Sequence, residues 1–427
     1  MLLIHNGYVI APDSGREGMA DILIKDDKII AVLSNGEDPL QFGQITESID
    51  AAGLCVGPGL VDVHVHFRDP GFTYKEDIFT GAEGAARGGY TSVVMMANTN
   101  PTIDTAETLR QVLEKGRQTN LNVYACAGVS KGLSGQEPCD YEALLRAGAA
   151  GFTDDGVPVM KESLLRAVME FSARRQIPVS LHEEDPSLIT NNGIHRGRAS
   201  AYYGLEGSPR EAEISLVKRD LKMACHTGAI VNIQHISCKE TVELLRQAKA
   251  AGYHNIHGEA TPHHFTLTEE DVIAKGTLAK MNPPLRTAED RAAIREGLLD
   301  GTLDIIATDH APHSREEKAK PITEAPSGIL GLETAFALAI TELGDKEGMS
   351  LTEIFRRMSL APARLYGLQA GFLKAGGPAD LILFDPKETW KVREFASKSS
   401  NSPFLDTVLK GKIKTTICGG KVIFSSP

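Results

Sequence analysis

Between residues 58 and about 311 the chain repeats one pattern: short apolar, β-branched runs alternate with stretches of helical periodicity. The runs are "GLVDVHV", "TSVVMMANT", "NVYACAGV", "AAGFTDD", "IPVSLHEE", "AIVNIQHIS", "NIHGEAT" and "LDIIATDHA". Between them lie segments such as "AETLRQVLEKGRQ", "SLLRAVMEFSARRQ" and "TVELLRQAKAAG", whose apolar residues recur at three- and four-residue spacing. A strand followed by a helix, roughly eight times over about 300 residues, predicts a (β/α)₈ TIM-type barrel. A doubly wound open sheet would use the same alternation. It would also carry a glycine-rich phosphate loop after a strand and gather its polar residues at one crevice, and neither is present here.

The two ends of the chain read differently. Residues 1–57 contain "LLIHNGYVIAP", "ADILIKDDKIIAVL" and "SIDAAGLCVGPG", and residues 370–427 contain "ADLILFDPKETWKV" and "TTICGGKVIF"; all are strand-like runs bounded by turn residues. They are expected to pair into one small β-sandwich domain, with 58–369 forming the barrel. The 427 residues allow for both, and 42% hydrophobic with 24% charged residues is the balance of an ordinary folded protein.

The formal charge is -11, and no lysine–arginine block could track a phosphate backbone, so nucleic acid is not an expected partner. No apolar window approaches a membrane span, and the opening "MLLIHNGYVIAPDSG" has no basic n-region, so a cytoplasmic protein is expected. Cys55, Cys126, Cys139, Cys225, Cys238 and Cys418 are scattered without a C-x-x-C pair, which predicts reduced core thiols.

Polar residues recur at the ends of the predicted strands. In "GLVDVHVHFRDPG" strict alternation would put Asp62, His64, His66 and Arg68 on one face and Val61, Val63, Val65 and Phe67 on the other. Asp154 and Asp155 close the fourth run, His182 the fifth, His235 the sixth and Asp309 the eighth. In a barrel these ends share one rim, so residues far apart in sequence become neighbours. Four imidazoles and two carboxylates suit a borderline cation such as Zn²⁺ and are enough for two metals, whose bound water loses its proton near neutral pH. An isolated histidine at a strand end is more often a satisfied polar cap; the set argues where no single member can. His5, His195, His226, His254 and His257 are read as solvated or locally bonded, and His263 and His264 of "ATPHHF" as structural.

"DVHVHFRDPG", "GFTDDG", "ATDHAPH" and, near the end, "GGPADLILFD" occur in the order and rough spacing that resemble the class I dihydroorotases of the amidohydrolase superfamily, over essentially the whole chain. The resemblance implies reversible hydrolysis of (S)-dihydroorotate to N-carbamoyl-L-aspartate, run in the ring-closing direction of pyrimidine biosynthesis. It implies two Zn²⁺ ions, one held by His64, His66 and Asp309 and the other by His182 and His235. Asp155 would bridge them; spacing alone leaves Asp154 equally placed. A bridging hydroxide would attack the ring carbonyl, with Asp309 as general base and then acid.

By the same resemblance, His66, Arg68, Asn98, Asn282, His313, Ser327 and Gly328 would contact substrate, with Arg68 gripping its carboxylate in two parallel hydrogen bonds. The segment "HSREEKAKPITEAPSG", residues 313–328, is charged and broken by prolines, and is expected to be a mobile loop or a gate over the site. A homodimer and docking to aspartate transcarbamoylase are further implications. Hydantoinases, allantoinases and dihydropyrimidinases are the alternative cyclic amidases; many of them bridge their metals with a carboxylated lysine, which "GFTDDG" lacks. A non-catalytic partner of the transcarbamoylase would have lost ligands, and all of them are present here.

Overall fold

The computed structural model describes residues 1–34 and 36–426; Asn35 and Pro427, both in segments expected to form the small domain, lie outside the described residues. Strands β1 (Leu2–Ala11), β2 (Arg16–Lys25), β3 (Lys28–Ser34), β4 (Glu47–Asp50) and β5 (Cys55–Pro58) come first. Next are β6 (Leu60–Val65), β7 (Tyr90–Met95), β8 (Asn122–Ala125), β9 (Val179–Leu181), β10 (Val231–Ile233), β11 (Ile256–Ala260) and β12 (Ile305–Ile306). Last are β13 (Leu381–Lys391), β14 (Val408–Cys418) and β15 (Lys421–Ser425).

The two chain ends pair as their shared texture predicts. β5 runs antiparallel to β13 and parallel to β1, joining them into one eight-stranded sheet in the order β15-β14-β13-β5-β1-β2-β3, with β4 beside β1. The sheet curls until its two halves meet. Main-chain bonds run from Ile29 to Gly377 and from Ala379 to Asp27, and Ile22 and Ile24 share a buried core with Leu381, Leu383 and Ile417. The sandwich is thus one continuous sheet closed over its own apolar face.

β6, β7 and β8 are parallel neighbours, as are β9, β10, β11 and β12. The helices between them match the sequence periodicity: Ala106–Gly116, Glu162–Arg175 and Lys239–Ala250 cover the three helical segments quoted from the sequence. Their first turns are capped where the sequence supplies an oxygen. Thr105 accepts from the Thr108 N–H, and Asp77 opens helix Ile78–Arg87 with a reciprocal Asp77–Thr80 box.

Two expectations need correction. "AAGFTDD" is not a regular strand: only Phe152 pairs, with Ala127 on one side and Val179 on the other. Centred on that residue, the segment closes the gap between β8 and β9: the Phe152 N–H donates to Pro178 O and its carbonyl accepts from Ser180 N, while the Ala150 and Thr153 N–H groups donate to Ala125 O and Ala127 O. The Val65–His310 pairing closes the other gap. The strict alternation of "GLVDVHVHF" also fails, because the β6–β7 register shifts between Asp62 and Val65. Val61 and Val63 pack inward with Val94, Met96, Ile305 and Ala307, whereas Val65 and Phe67 pack outward against Ile78 and Ala82. Asp62 leaves the face of His64. Its carboxylate accepts the His64 and Thr308 N–H groups at 3.0 and 3.2 Å, holding β6 against the chain just past β12.

Because one residue does the work of a strand, its side chain should be critical. Phe152 is fully buried, and its ring makes edge contacts with Tyr141 and Phe171 at 5.1 and 5.7 Å. Phe152→Ala is expected to cost about 3–5 kcal/mol, read as a lowered urea midpoint; a loss under about 1 kcal/mol would show that barrel closure does not depend on this ring.

Candidate metal centre and active site

The polar strand ends meet. His64 Nε2 lies 3.3 Å from Asp155 Oδ1 and 3.4 Å from Asp309 Oδ1; His66 Nε2 lies 3.4 Å from Asp155 Oδ2 and 3.0 Å from Asp309 Oδ1. His182 Nδ1 and His235 Nε2 face each other at 2.8 Å, and each stands 3.8 Å from Asp155 Oδ1. Asp155 therefore touches both pairs of imidazoles. Asp154, equally placed by spacing, points away: its carboxylate accepts the Val129 and Ser130 N–H groups at 2.7 and 3.0 Å and the Ser130 hydroxyl.

Which nitrogen each ring presents is set by what holds its far side. Glu259 Oε1 takes the Nδ1–H of His64 at 2.6 Å, and Asn98 Oδ1 takes the Nδ1–H of His66 at 2.9 Å, so both turn a lone pair inward. His182 Nε2 lies 3.4 Å from Glu184 Oε2, leaving its Nδ1 to face His235. Glu259 went unnoticed in the sequence, although a glutamate inside the buried run "IHGEA" is a signal that burial must be compensated. It also accepts from Asn232 Nδ2 at 2.9 Å and from the His235 N–H at 3.2 Å.

These side chains fit divalent cations. Three groups, His64/His66/Asp155, Asp155/His182/His235 and His64/His235/Asp309, each bring candidate ligand atoms within 4.8 Å of one another. His64 Nε2 and Asp155 Oδ1 are buried without a hydrogen-bond partner, a costly arrangement unless something else satisfies them. Burial alone would raise the carboxyl pKa of Asp155 and Asp309, yet the surrounding imidazoles hold both below the usual carboxylate range. Burial likewise disfavours a charge on His64, but Asp309, Asp155 and Glu259 keep its pKa well above the ordinary histidine value. Donor type, burial and unspent lone pairs all match a site for positive charge.

Above these residues opens a cleft of about 350 Å³. His66, Arg68, Asn98, Asn282, His313 and Ser327 line it together with Asp155, His182, His235 and Asp309; Lys280 and Asn192, which the sequence did not single out, do so too. His64 lies beneath, and Gly328 borders His313. A Cβ on Gly328 would come within 2.6 Å of that ring, on a backbone with φ of +154°. Arg68 is not part of a surface ion pair: its Nε donates to Pro312 O at 3.3 Å, and its Nη2 reaches 3.5 Å from His313 Nε2. Arg68, His235 and Asp309 all have positive φ, at 57°, 32° and 48°, so three site residues sit on strained backbone where the chain leaves a barrel strand.

The 313–328 segment, expected to be a mobile loop or a gate, is tied to its surroundings by hydrogen bonds. Ser314 and Glu317 form a capping box on a short helix, Arg315–Lys318, and two buried ammonium groups pin the residues beyond it. Lys318 Nζ donates to Pro326 O and Gly328 O at 3.0 and 3.1 Å; Lys280 Nζ donates to Ile322 O and Ala325 O, both at 2.7 Å. Among the remaining histidines, His264 is bonded to Thr261 Oγ1 and Pro283 O, as a structural role requires. His195 is buried rather than solvated and accepts from Arg286 Nη1 at 3.1 Å. All six cysteines are free thiols, five of them buried, and no helix of the described residues is long and apolar enough to cross a membrane.

Comparison with known proteins agrees with this geometry. A family model described as the amidohydrolase family matches residues 55–423. A dihydroorotase of Clostridioides difficile (strain 630) is 50% identical over 426 residues, covering 100% of both chains. One of Clostridium acetobutylicum is 46% identical, covering 99% of each. Among solved structures, an L-hydantoinase (dihydropyrimidinase) from Arthrobacter aurescens superposes with a TM-score of 0.88 at 26% identity, over 99% of this chain and 96% of that one. A dihydropyrimidinase from Brevibacillus agri, at 22% identity with a TM-score of 0.85, shares the fold. A curled end-to-end sheet, a closed β/α barrel and a rim of converging histidines and aspartates accompany identities of this size along the full length, and the chain belongs to the amidohydrolase family, on its dihydroorotase branch.

Proposed function

We propose that the cleft carries out the reversible hydrolysis of (S)-dihydroorotate to N-carbamoyl-L-aspartate. The carrying observation is that Arg68, unpaired with any carboxylate at hydrogen-bond distance, opens onto the same cleft as five of the six converging metal-type ligands, with His64 beneath them, in a chain half identical to a dihydroorotase. The barrel of 58–369 holds this chemistry, and the sheet built from 1–57 and 370–427 closes against its side.

In this reading His64, His66 and Asp309 would hold one divalent ion and His182 and His235 a second, with Asp155 available to both; the donor set favours Zn²⁺. Bound there, such ions supply an acidified water and positive charge for the ring carbonyl. Asp309 takes the proton of the attacking water and passes it to the ring nitrogen as the carbon–nitrogen bond breaks, acting first as base and then as acid. Arg68 and His313 hold the substrate carboxylate, and Asn282 and the main chain at Ser327 and Gly328 flank the ring. Asn98 sits between two ligands, donating to Asp155 Oδ2 at 3.2 Å while it accepts from His66, so it keeps the site in register and faces the cleft as well. The sister cyclic amidases are less well supported. Lys161, the lysine nearest in sequence to the fourth strand position, is exposed and donates to Gln136 O, away from the site. The family resemblance alone supports a homodimer and docking to aspartate transcarbamoylase; reduced cysteines support cytoplasmic residence.

Metal-replete protein should interconvert dihydroorotate and carbamoyl-aspartate and bind two divalent ions per chain by elemental analysis. Chelation should abolish turnover and added Zn²⁺ should restore it; no turnover by protein with both ions bound would refute the reading. Arg68→Gln should raise KM for dihydroorotate by roughly 10- to 100-fold, the worth of hydrogen bonds to a charged group, and leave a carboxylate-free hydantoin ring unaffected. An equal loss on both rings would remove Arg68 from substrate recognition. Glu259→Gln keeps the shape but loses the charge behind His64, and should weaken metal affinity by roughly tenfold in chelator competition; unchanged affinity would mean that the ring orients itself.

A further inference from the structure

His313 has a neighbour on each ring nitrogen, and together they decide which one carries the proton. Nδ1 lies 3.3 Å from Lys75 Nζ. An ammonium only donates, so Nδ1 offers its lone pair. Nε2 lies 2.9 Å from the carbonyl oxygen of Ser327, which only accepts, so Nε2 carries the hydrogen. The two ends agree. The same Nε2 stands 3.5 Å from Arg68 Nη2, so its hydrogen and the guanidinium lie together at the cleft, and an entering carboxylate would share the Nε2–H with the Ser327 carbonyl.

Lys75 is held for this task. It is 8% exposed, its Nζ donates to Glu317 Oε1 at 3.0 Å, and the rings of Phe72 and Tyr74 flank it at 5.4 and 5.6 Å. Tyr74 Oη donates to the same Glu317 oxygen at 2.8 Å, and the Ser314 N–H takes the other at 2.8 Å. Glu317 Oε2 lies 3.5 Å from His313 Nδ1, so a competing arrangement is close at hand. Without the lysine, the Glu317 carboxylate would compete with the neutral Ser327 carbonyl for the ring's proton, and a proton drawn to Nδ1 would leave a lone pair on Nε2 facing the substrate's negative charge. Burial, with Arg68, Lys75 and Lys318 around the ring, pushes the His313 pKa down to about 2, which keeps it neutral and makes the choice of tautomer matter.

We propose that Lys75, fixed by Glu317, is a positioning residue that locks His313 in its Nε2–H form and so presents, beside Arg68, a second donor to the substrate carboxylate. The proposal rests on the dihydroorotase reading of the cleft. It also explains why a tyrosine–lysine pair after "FRDPG" and a glutamate four residues beyond His313 meet above the site, though neither touches the ligand cluster.

The test is Lys75→Met in the full-length, metal-replete protein, with selective ¹⁵N labelling of histidine. Wild type should show an His313 signal, assigned by its loss in His313→Ala, with protonated Nε2 and bare Nδ1; Lys75→Met should move the proton to Nδ1. KM for dihydroorotate and for carbamoyl-aspartate should rise roughly 10- to 100-fold, as when the partner orienting a histidine is lost. kcat should stay within about threefold and metal content should not change. In the His313→Ala background Lys75→Met should add nothing. Lys75→Gln, whose amide can still donate to Nδ1, should retain the Nε2–H tautomer and most of the affinity, and serves if the methionine variant does not fold. An unchanged tautomer or KM in Lys75→Met, or effects that add to those of His313→Ala, would overturn the proposal. If wild type turns over no dihydroorotate, the reading of the cleft fails instead, and the tautomer signal still reports whether Lys75 sets the ring.

Discussion

Asp155 stands 3.3 to 3.8 Å from four imidazoles, all of them nearly or fully buried, and the rest of the site is arranged around that crowding. Carboxylates and rings packed at this distance at the floor of the cleft carry lone pairs that cannot all be satisfied by one another, as the unpartnered His64 Nε2 and Asp155 Oδ1 show. Positive charge is what such a cluster lacks, and the groups behind it work to the same end. Glu259 and Asn98 each occupy the far nitrogen of a ring and turn the near one toward the cluster.

The barrel bears this load at a few points of main-chain strain and single-residue pairing. Phe152 alone stands in for a strand immediately before Asp154 and Asp155, so the chain can turn sharply and aim the second aspartate into the mouth while the first secures the neighbouring loop. Asp62 fills a similar place in β6. The register shift that removes it from the face of His64 lets its carboxylate bind the N–H groups of His64 and Thr308, one residue before Asp309. The first and last strands of the barrel are thereby tied through a buried carboxylate as well as through the Val65–His310 pairing. The positive φ of Arg68, His235 and Asp309 belongs with this pattern, since a strand that simply continued would carry these side chains away from the mouth.

Much of this could be read in the sequence, for a physical reason. Strand–helix alternation reports the period of burial, and the strand-end histidines and aspartates stand out because polar groups at the close of apolar runs need a use. What could not be read depended on register and on contacts across the fold. Alternation in "DVHVHF" was true only in halves, because a bulge is invisible in a pattern that remains apolar on both sides of it. Asp154 and Asp155 could not be told apart, since their difference lies in the N–H groups of Val129 and Ser130, which come from another loop. Charge and proline in 313–328 signalled a mobile loop or a gate, and gave no hint that Lys280 and Lys318 would be buried against its carbonyls. A lysine with only main-chain oxygens for partners has no signature in composition.

The likeness to hydantoinases shows where chemistry and specificity part company. A TM-score of 0.88 at 26% identity means that the barrel, the sheet and their junction survive the replacement of most side chains, so the fold cannot be what selects the ring. Selection for a ring with a carboxylate needs donors at the outer lip of the cleft, beyond the ligand cluster. On the proposed reading they are Arg68, on the segment after β6, and His313, on the segment after Asp309, backed by Lys75 and Glu317. These two stretches lie side by side because Val65 pairs with His310 at barrel closure, and the His66 N–H donates to the His310 carbonyl at 2.9 Å. The contact that shuts the barrel therefore also brings together the two stretches proposed to grip the carboxylate, apart from Asp155 and the histidines around it.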